Sequence, residues 1–187
     1  MSNTPLPRSS HREALLDAAE AIVSEQGVAE LTLEGVAART GVTKGGLIYH
    51  FKTKEALLHA LVEKIIQQME TRYQEKAKAQ GSSLDILLIA MINDVFDMSR
   101  EEKALMTNLL AAVSSYPNQL GPVQDMYERQ TQELTRDPQH MGLALMVSCA
   151  LDGIIFLELL NLKQFSTEER EAMRQHLINT VTQHTKI

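Results

Sequence analysis

Apolar residues recur at three- and four-residue steps through most of the chain, and nowhere alternate in twos as a half-buried strand would. Leu15, Ala18, Ala19, Ile22 and Val23 define a first helix, with Ser10-His-Arg-Glu13 in the form of a capping box before it. Gly27 is its expected stop, because glycine takes the left-handed position after a helix at no steric cost. Thr32 is placed to cap a short second helix with Leu33, Val36 and Ala37 on one face. Gly41-Val42 breaks it, and Thr43 caps a third helix with Leu47, Ile48 and Phe51 on its buried side. Thr53 opens a fourth. In it Leu57 or Leu58, Leu61, Ile65, Met69 and Tyr73 follow one another at four-residue steps to about Lys78, a rod of nearly 40 Å.

Gln80-Gly81-Ser82-Ser83 ends that rod, and the pattern stays helical beyond it. Leu84, Leu87, Leu88, Met91 and Val95 share a face of a helix ending near Met98. Ala104, Leu105, Leu109, Ala112 and Val113 share another, stopped by Pro117. Val123, Met126, Tyr127, Gln130 and Leu134 share a third, ending at Arg136. Asp137-Pro138 reads as an N-cap with proline at the first helical position. The helix expected from Gln139 to about Leu162 is apolar on nearly all sides, which predicts burial among several neighbours. Asp152 and Glu158 interrupt it and argue against a membrane span. Ser166-Thr-Glu-Glu169 is a second capping box, opening a last helix with Met173, Leu177, Ile178 and Val181. The expected fold is all-α with about nine helices: an N-terminal three-helix helix-turn-helix domain at 1–55 and a C-terminal helical bundle at 56–187. Met1 to Pro7 reads as a disordered arm.

Charge changes the picture in one place. The chain carries a net charge of −6 and a sequence pI of about 5.5, so indiscriminate binding to nucleic acid is not expected. Between Arg39 and Lys54, however, stand Arg39, Lys44, Lys52 and Lys54 with no Asp or Glu. A local basic surface on two short helices joined by a tight turn is the arrangement that places a helix in the DNA major groove. Arg8 and Arg12, near the start of the first helix, are either phosphate contacts or solvated termini.

Residues Thr32, Val36, Ala37, Thr40, Gly41, Val42, Thr43, Lys44, Gly45, Leu47, Tyr49, Phe51, Lys54, Glu55, Leu57 and Leu58 stand at the spacing T-x-x-x-V-A-x-x-[TA]-G-V-[TS]-K-G-x-[LI]-x-Y-x-F-x-[ST]-K-E-x-L-L. The pattern resembles the TetR family of one-component bacterial regulators over about the first third of the chain. Where many members place an aromatic, this chain has Ile48, and its ring is at Tyr49. The resemblance implies a cytoplasmic homodimer that represses from a palindromic double-stranded DNA operator and releases it when a small molecule binds the C-terminal domain. Arg39, Thr43, Lys44, Gly45, Tyr49, His50, Lys52 and Lys54 are the expected DNA-facing set. Gly45 and Gly46 let backbone approach the groove. Leu47 and Phe51 read as core, with Leu47 also within reach of a thymine methyl.

The effector is expected to be mostly apolar, with at most one or two polar or cationic groups, because thioethers make adaptable apolar linings. The expected lining is Met69, Tyr73, Met91, Phe96, Met106, Leu110, Met126, Tyr127, Met146 and Asp152, against ordinary core packing for each methionine. Asn93, Asn108, Asp152 and Glu158 are the candidates to orient a ligand. Leu177, Ile178 and Val181 are expected at the dimer interface, paired with the apolar helix before them.

Enzyme signatures are absent: there is no phosphate-cradling glycine loop with Lys-Ser/Thr, no GxSxG and no HExxH. The six histidines show no metal-like spacing, so neither metal nor cofactor is expected. One cysteine, Cys149, excludes an intrachain disulfide, fits a reducing compartment and reads as a buried structural thiol. The alternative function is a helical small-molecule-binding protein or enzyme with a helix-turn-helix-like start.

Overall fold

The computed structural model describes residues 8–115 and 120–185. Among them are nine α-helices and one 3-10 turn, and no strand. The expected arm at 1–7 and the Pro117 stop lie outside the described residues.

Helix α1 (Arg8–Gln26) begins before the supposed capping box, so Ser10 lies within the helix and is not its cap. Gly27, at φ 86°, ends it as expected and leads into a 3-10 turn at Val28–Glu30. Thr32 accepts from the Gly35 N–H and starts α2 (Leu33–Thr40), and Gly41, at φ 69°, closes it in the left-handed region. Thr43 accepts from the Gly46 N–H and starts α3 (Lys44–His50). Thr53 accepts from the Ala56 N–H at the head of α4 (Lys54–Gln80). These 27 residues make a rod of about 40 Å.

Helices α5 (Leu84–Phe96), α6 (Arg100–Ser115) and α7 (Gly121–Leu134) follow. Asp137 does not open a helix. It accepts from the Gln139 N–H and pairs with His140 Nδ1 at 2.6 Å, and α8 (Met141–Leu159) begins only after His140. Ser166 and Glu169 form the expected capping box of α9 (Thr167–His184).

The chain divides into two compact units, Met1–Ile66 with Ala104–Val123, and Gln67–Lys103 with Gln124–Ile187. The cut differs from a division after residue 55, because α4, α6 and α7 each begin in one unit and end in the other. In the first unit α1 packs on α2 and α2 on α3. Leu15, Leu16, Val23, Leu31, Val36, Leu47, Leu57 and Leu58 are fully enclosed there. In the second, α5 packs on α8 and α9. Its core contains Ala77, Leu88, Met91, Ile92, Leu134, Ala144, Val147, Leu151 and Val181.

The helix α8 departs from its expectation. One side, with Ala144, Val147, Leu151, Ile154, Ile155, Glu158 and Leu159, is buried. The other leaves Met146 (73%), Phe156, Leu157 and Leu160 exposed. Length and composition alone would let it cross a membrane. It is not enclosed on all sides by its own chain.

Candidate nucleic-acid interface and effector region

Helix α3 is two turns long and is held at both ends. Its first turn is fixed by Thr43, and the Phe51 N–H returns to the Leu47 carbonyl at 2.8 Å. Leu47 and Phe51 lie one turn apart on one face and are both buried. Ile48, expected beside them, is turned about 100° away and is 40% exposed. Tyr49 is 72% exposed, with its ring edge-on to His50 at 5.2 Å. The outward face of α3 therefore presents Lys44, Gly45, Ile48 and Tyr49, followed by exposed Lys52.

The two glycines differ. A Cβ on Gly46 would come to 3.0 Å of Val42 Cγ1, so Gly46 serves the packing of the turn. A Cβ on Gly45 meets nothing within 4 Å, so its surface is open to an approaching molecule.

Three cations of this region, Arg39, Lys44 and Lys54, have carboxylate or carbonyl partners. Arg39 makes a two-pronged contact with Glu25, at 2.9 and 2.6 Å, that ties the end of α2 to the end of α1. Lys44 Nζ lies 2.9 Å from Glu34 Oε1. Lys54 donates to the Ala29 carbonyl at 3.2 Å. Hydrogen bonds from these partners hold the Glu25 and Glu34 carboxyls below the usual carboxylate range: Arg39 for Glu25, Lys44 for Glu34. Glu25 and Glu34 were not read from the sequence as part of the interface. Their spacing from Arg39 and Lys44 has no regular period, so only the fold brings them together. Arg12 lies over the Phe51 ring at 5.4 Å.

The expected effector lining is spread over α4, α5, α6, α7 and α8. Met106 and Leu110 belong to the first unit and the rest to the second. Met91 is buried in the second core, and Tyr73 and Phe96 pack against that core. Phe96 also lies under the Arg170 guanidinium, 5.1 Å from its carbon. Met146 points outward from α8. Met69, Met126 and Tyr127 are half-buried. The four polar candidates separate clearly. Asn93 accepts from Arg174 at 2.6 Å, and Asn108 donates to the Val23 carbonyl at 2.8 Å. Glu158 is paired with Lys103 at 2.7 Å and with Arg170. Asp152 is half-buried and accepts from the Tyr127 hydroxyl at 3.0 Å. Among the described residues it has no ion pair. Burial pushes its carboxyl up, against the Tyr127 hydrogen bond, and burial and Asp152 together push the Tyr127 phenol up.

Two further expectations are corrected. Val181 is fully covered within its own chain and is a core residue, while Leu177 and Ile178 are half-buried against the same cluster. Position 181 faces α5 because α9 lies on that helix. Cys149 is exposed rather than buried, on the outer side of α8. With Gly142, Met146, Gly153, Phe156 and Leu160 it forms a series at alternating steps of four and three.

A capped, outward-facing short helix after a left-handed glycine turn, on an all-helical chain, defines a helix-turn-helix regulator. Residues 15–61 match the family of bacterial regulatory proteins called tetR, and residues 85–182 match the tetracyclin repressor-like C-terminal domain. The second match alone spans more than half the chain, and the protein belongs to the TetR family of ligand-responsive DNA-binding transcriptional regulators. The regulator BetI of Cronobacter sakazakii is 27% identical over 187 residues, covering 89% of this chain and 90% of its own. The regulator AcrR of Shigella flexneri is 35% identical over 95 residues, 49% of this chain and 43% of its own. A solved TetR-family regulator from Rhodococcus sp. has the same fold, with a TM-score of 0.70 at 22% identity, covering 95% of this chain and all of that one. So does the multidrug binding protein EbrR complexed with ethidium, with a TM-score of 0.69 at 21% identity, covering 97% and 100%.

Proposed function

We propose that the protein is a cytoplasmic, non-enzymatic repressor that holds a palindromic operator as a homodimer and releases it when a small, mostly apolar effector binds its second unit. The observation that carries the DNA reading is α3 itself: a Thr43-capped helix whose buried side is Leu47 and Phe51 and whose open side is Lys44, Gly45 and Tyr49. Lys44, Gly45 and Tyr49 meet base edges, and Thr43, His50 and Lys52 meet phosphates. Arg39 and Lys54, already held by Glu25 and the Ala29 carbonyl, act at the margin of this face.

The outer seam of α8 supports the dimer. Gly142, Met146, Cys149, Gly153, Phe156 and Leu160 repeat at the four-three spacing of helices that pack lengthwise, and all six are exposed. The partner is a second copy, whose identical seam is complementary by symmetry.

Asp152 supports the effector reading. A half-buried carboxylate with no ion pair among the described residues favours a ligand carrying one positive charge on an apolar body. Neutral and cationic ligands therefore differ in how strongly they favour the released state. Continuous α4 carries a shift of its second half into its first and changes the spacing of the two recognition helices from the about 34–36 Å that adjacent major grooves demand. The test is gel mobility of promoter fragments from the gene's own neighbourhood, with tetraphenylphosphonium as the releasing probe. One fragment is retarded and then freed. If no fragment is retarded at low salt, the regulator reading of this interface is wrong.

A further inference from the structure

The DNA-facing surface carries one acidic side chain at the point where its recognition helix starts. Glu34 lies in the first turn of α2, and Lys44 is the first residue of α3. Their side chains are two-thirds exposed, at 67% and 68%, and their charged atoms are 2.9 Å apart. Thr32 caps one helix and Thr43 the other, so both side chains project from fixed helix starts. The first residues of a recognition helix face base edges, so whatever Lys44 reaches also meets the Glu34 carboxylate.

A carboxylate beside phosphate is repelled. In the major groove it can accept only from the amino groups of cytosine or adenine, and its characteristic partner is cytosine N4. An ammonium takes guanine O6 and N7. A donor and an acceptor about 3 Å apart suit neighbouring groups on G·C base edges and suit a bare phosphate poorly.

We propose that Glu34 is a specificity-determining residue of the operator contact, reading cytosine next to the guanine that Lys44 reads and penalising sites that offer no amino group. In the free protein the Lys44 ammonium occupies the carboxylate, so ionised Glu34 is satisfied until a better-matched surface replaces that partner. The pairing also lowers the share of affinity that comes from phosphate alone, in a chain already net acidic. The inference rests on α3 being the recognition helix.

The experiment selects binding sites in parallel from one randomised duplex library with the parent protein, Glu34→Gln, Glu34→Ala and Lys44→Ala. The best parental duplex and a shuffled copy are then titrated by anisotropy at low and near-physiological salt. The parent should enrich a palindrome with a fixed cytosine at one symmetric pair of positions. Glu34→Gln should move that preference toward adenine, because an amide pairs with adenine N6 and N7. Glu34→Ala should erase it and narrow the ratio of palindrome to shuffled affinity about tenfold, the effect of one lost base contact. All variants should keep the parental circular dichroism spectrum and melting curve, since Glu34 is exposed. Unchanged base preferences in both Glu34 variants overturn the proposal. So does an equal rise in affinity for both duplexes, which makes Glu34 a general electrostatic brake. If Lys44→Ala matches the parent in affinity and preference, the assignment of α3 falls, and this proposal with it.

Discussion

Both units carry exposed ion pairs, but among the described residues only the second buries charged groups. In the first, Arg39 with Glu25 and Lys44 with Glu34 stand in water. In the second, the carboxylates of Asp94 and Glu158 are buried, at 6% and 7% exposure. Asp94 is held by Arg72, at 2.5 and 2.9 Å, with Lys76 at 3.7 Å. Arg72 also bonds Glu102 and so joins α4, α5 and the first turn of α6. Glu158 is held by Lys103 and Arg170, and Arg170 reaches the Phe96 carbonyl at 3.0 Å. An exposed pair contributes little, and a phosphate can take over its cation. A buried carboxylate without its partners would be costly, so those pairs fix which helices lie together. The pairs beside α3 are exchangeable, and the buried pairs of the second unit are not.

The largest contrast is between Val181, expected from the sequence at the dimer interface, and Met146, expected in the effector lining. Val181→Asp puts a carboxylate into the enclosed core among Ala77, Leu88 and Leu151, and should cost about 4 kcal/mol or more and leave little folded protein. Met146→Asp lies on the exposed seam and should leave the melting curve of each subunit's fold in place while giving a monomer by light scattering. A folded, dimeric Met146→Asp would move the interface off α8. A stable Val181→Asp would contradict the enclosed site.

The ion pairs come next. Arg170→Ala leaves Glu158 buried with one cation and strips the Phe96 carbonyl, and should cost about 3 kcal/mol in urea unfolding. Arg39→Ala removes an exposed pair and should not measurably change the midpoint. Equal costs would erase the distinction between the units. Acid should separate them too. Burial alone would raise the Glu158 carboxyl, but the hydrogen bonds from Lys103 and Arg170 bring it below its ordinary value of 4.5. A depressed carboxyl contributes stability that is fully present above its ordinary value and is lost as the pH falls through the folded one. The parent should therefore lose stability below about pH 4.5 more steeply than Arg170→Ala, as seen in urea midpoints across that range.

Local signals made most helix starts and stops legible. Thr32, Thr43, Thr53 and Ser166 cap where a short polar residue before an apolar period says they should, and Gly27 and Gly41 take the positive φ their positions demand. Such signals act within a turn and need no partner. Ser10 failed as a cap because α1 extends to Arg8, beyond the first apolar residue that marked it. The expected pocket was less legible. A methionine period does not tell a core residue such as Met91 from an outward one such as Met146, since both belong to apolar stripes. Val181 and Cys149 exchanged their expected settings for the same reason: periodicity gives faces, and only packing says which face is covered. The partners of Arg39, Lys44 and Arg170 lie 14, 10 and 12 residues away along the chain, outside any local rule.

A small effect on stability, of the opposite sign, falls at Asp152, which stands between the two settings: half-buried where Glu158 is buried, and with a hydroxyl where Glu158 has two cations. Burial pushes its carboxyl above the ordinary value of 3.8, and the Tyr127 hydrogen bond only partly offsets that. For a carboxyl raised in the folded state the sign reverses: ionisation costs stability, the cost is absent in acid, and it appears as the pH rises through the ordinary value. Asp152→Asn should therefore be slightly more stable than the parent at neutral pH, by about 1 kcal/mol or less, and indistinguishable from it below about pH 3.8. The same substitution should raise the tetraphenylphosphonium concentration needed for operator release about tenfold, the equivalent of one lost charge-assisted contact, and leave release by an uncharged aromatic of similar size unchanged. An Asp152→Asn protein that is no more stable at neutral pH would remove the argument from burial. One that responds equally to both probes would show that the carboxylate meets no cation, and that the half-buried pair with Tyr127 serves only to join α7 to α8.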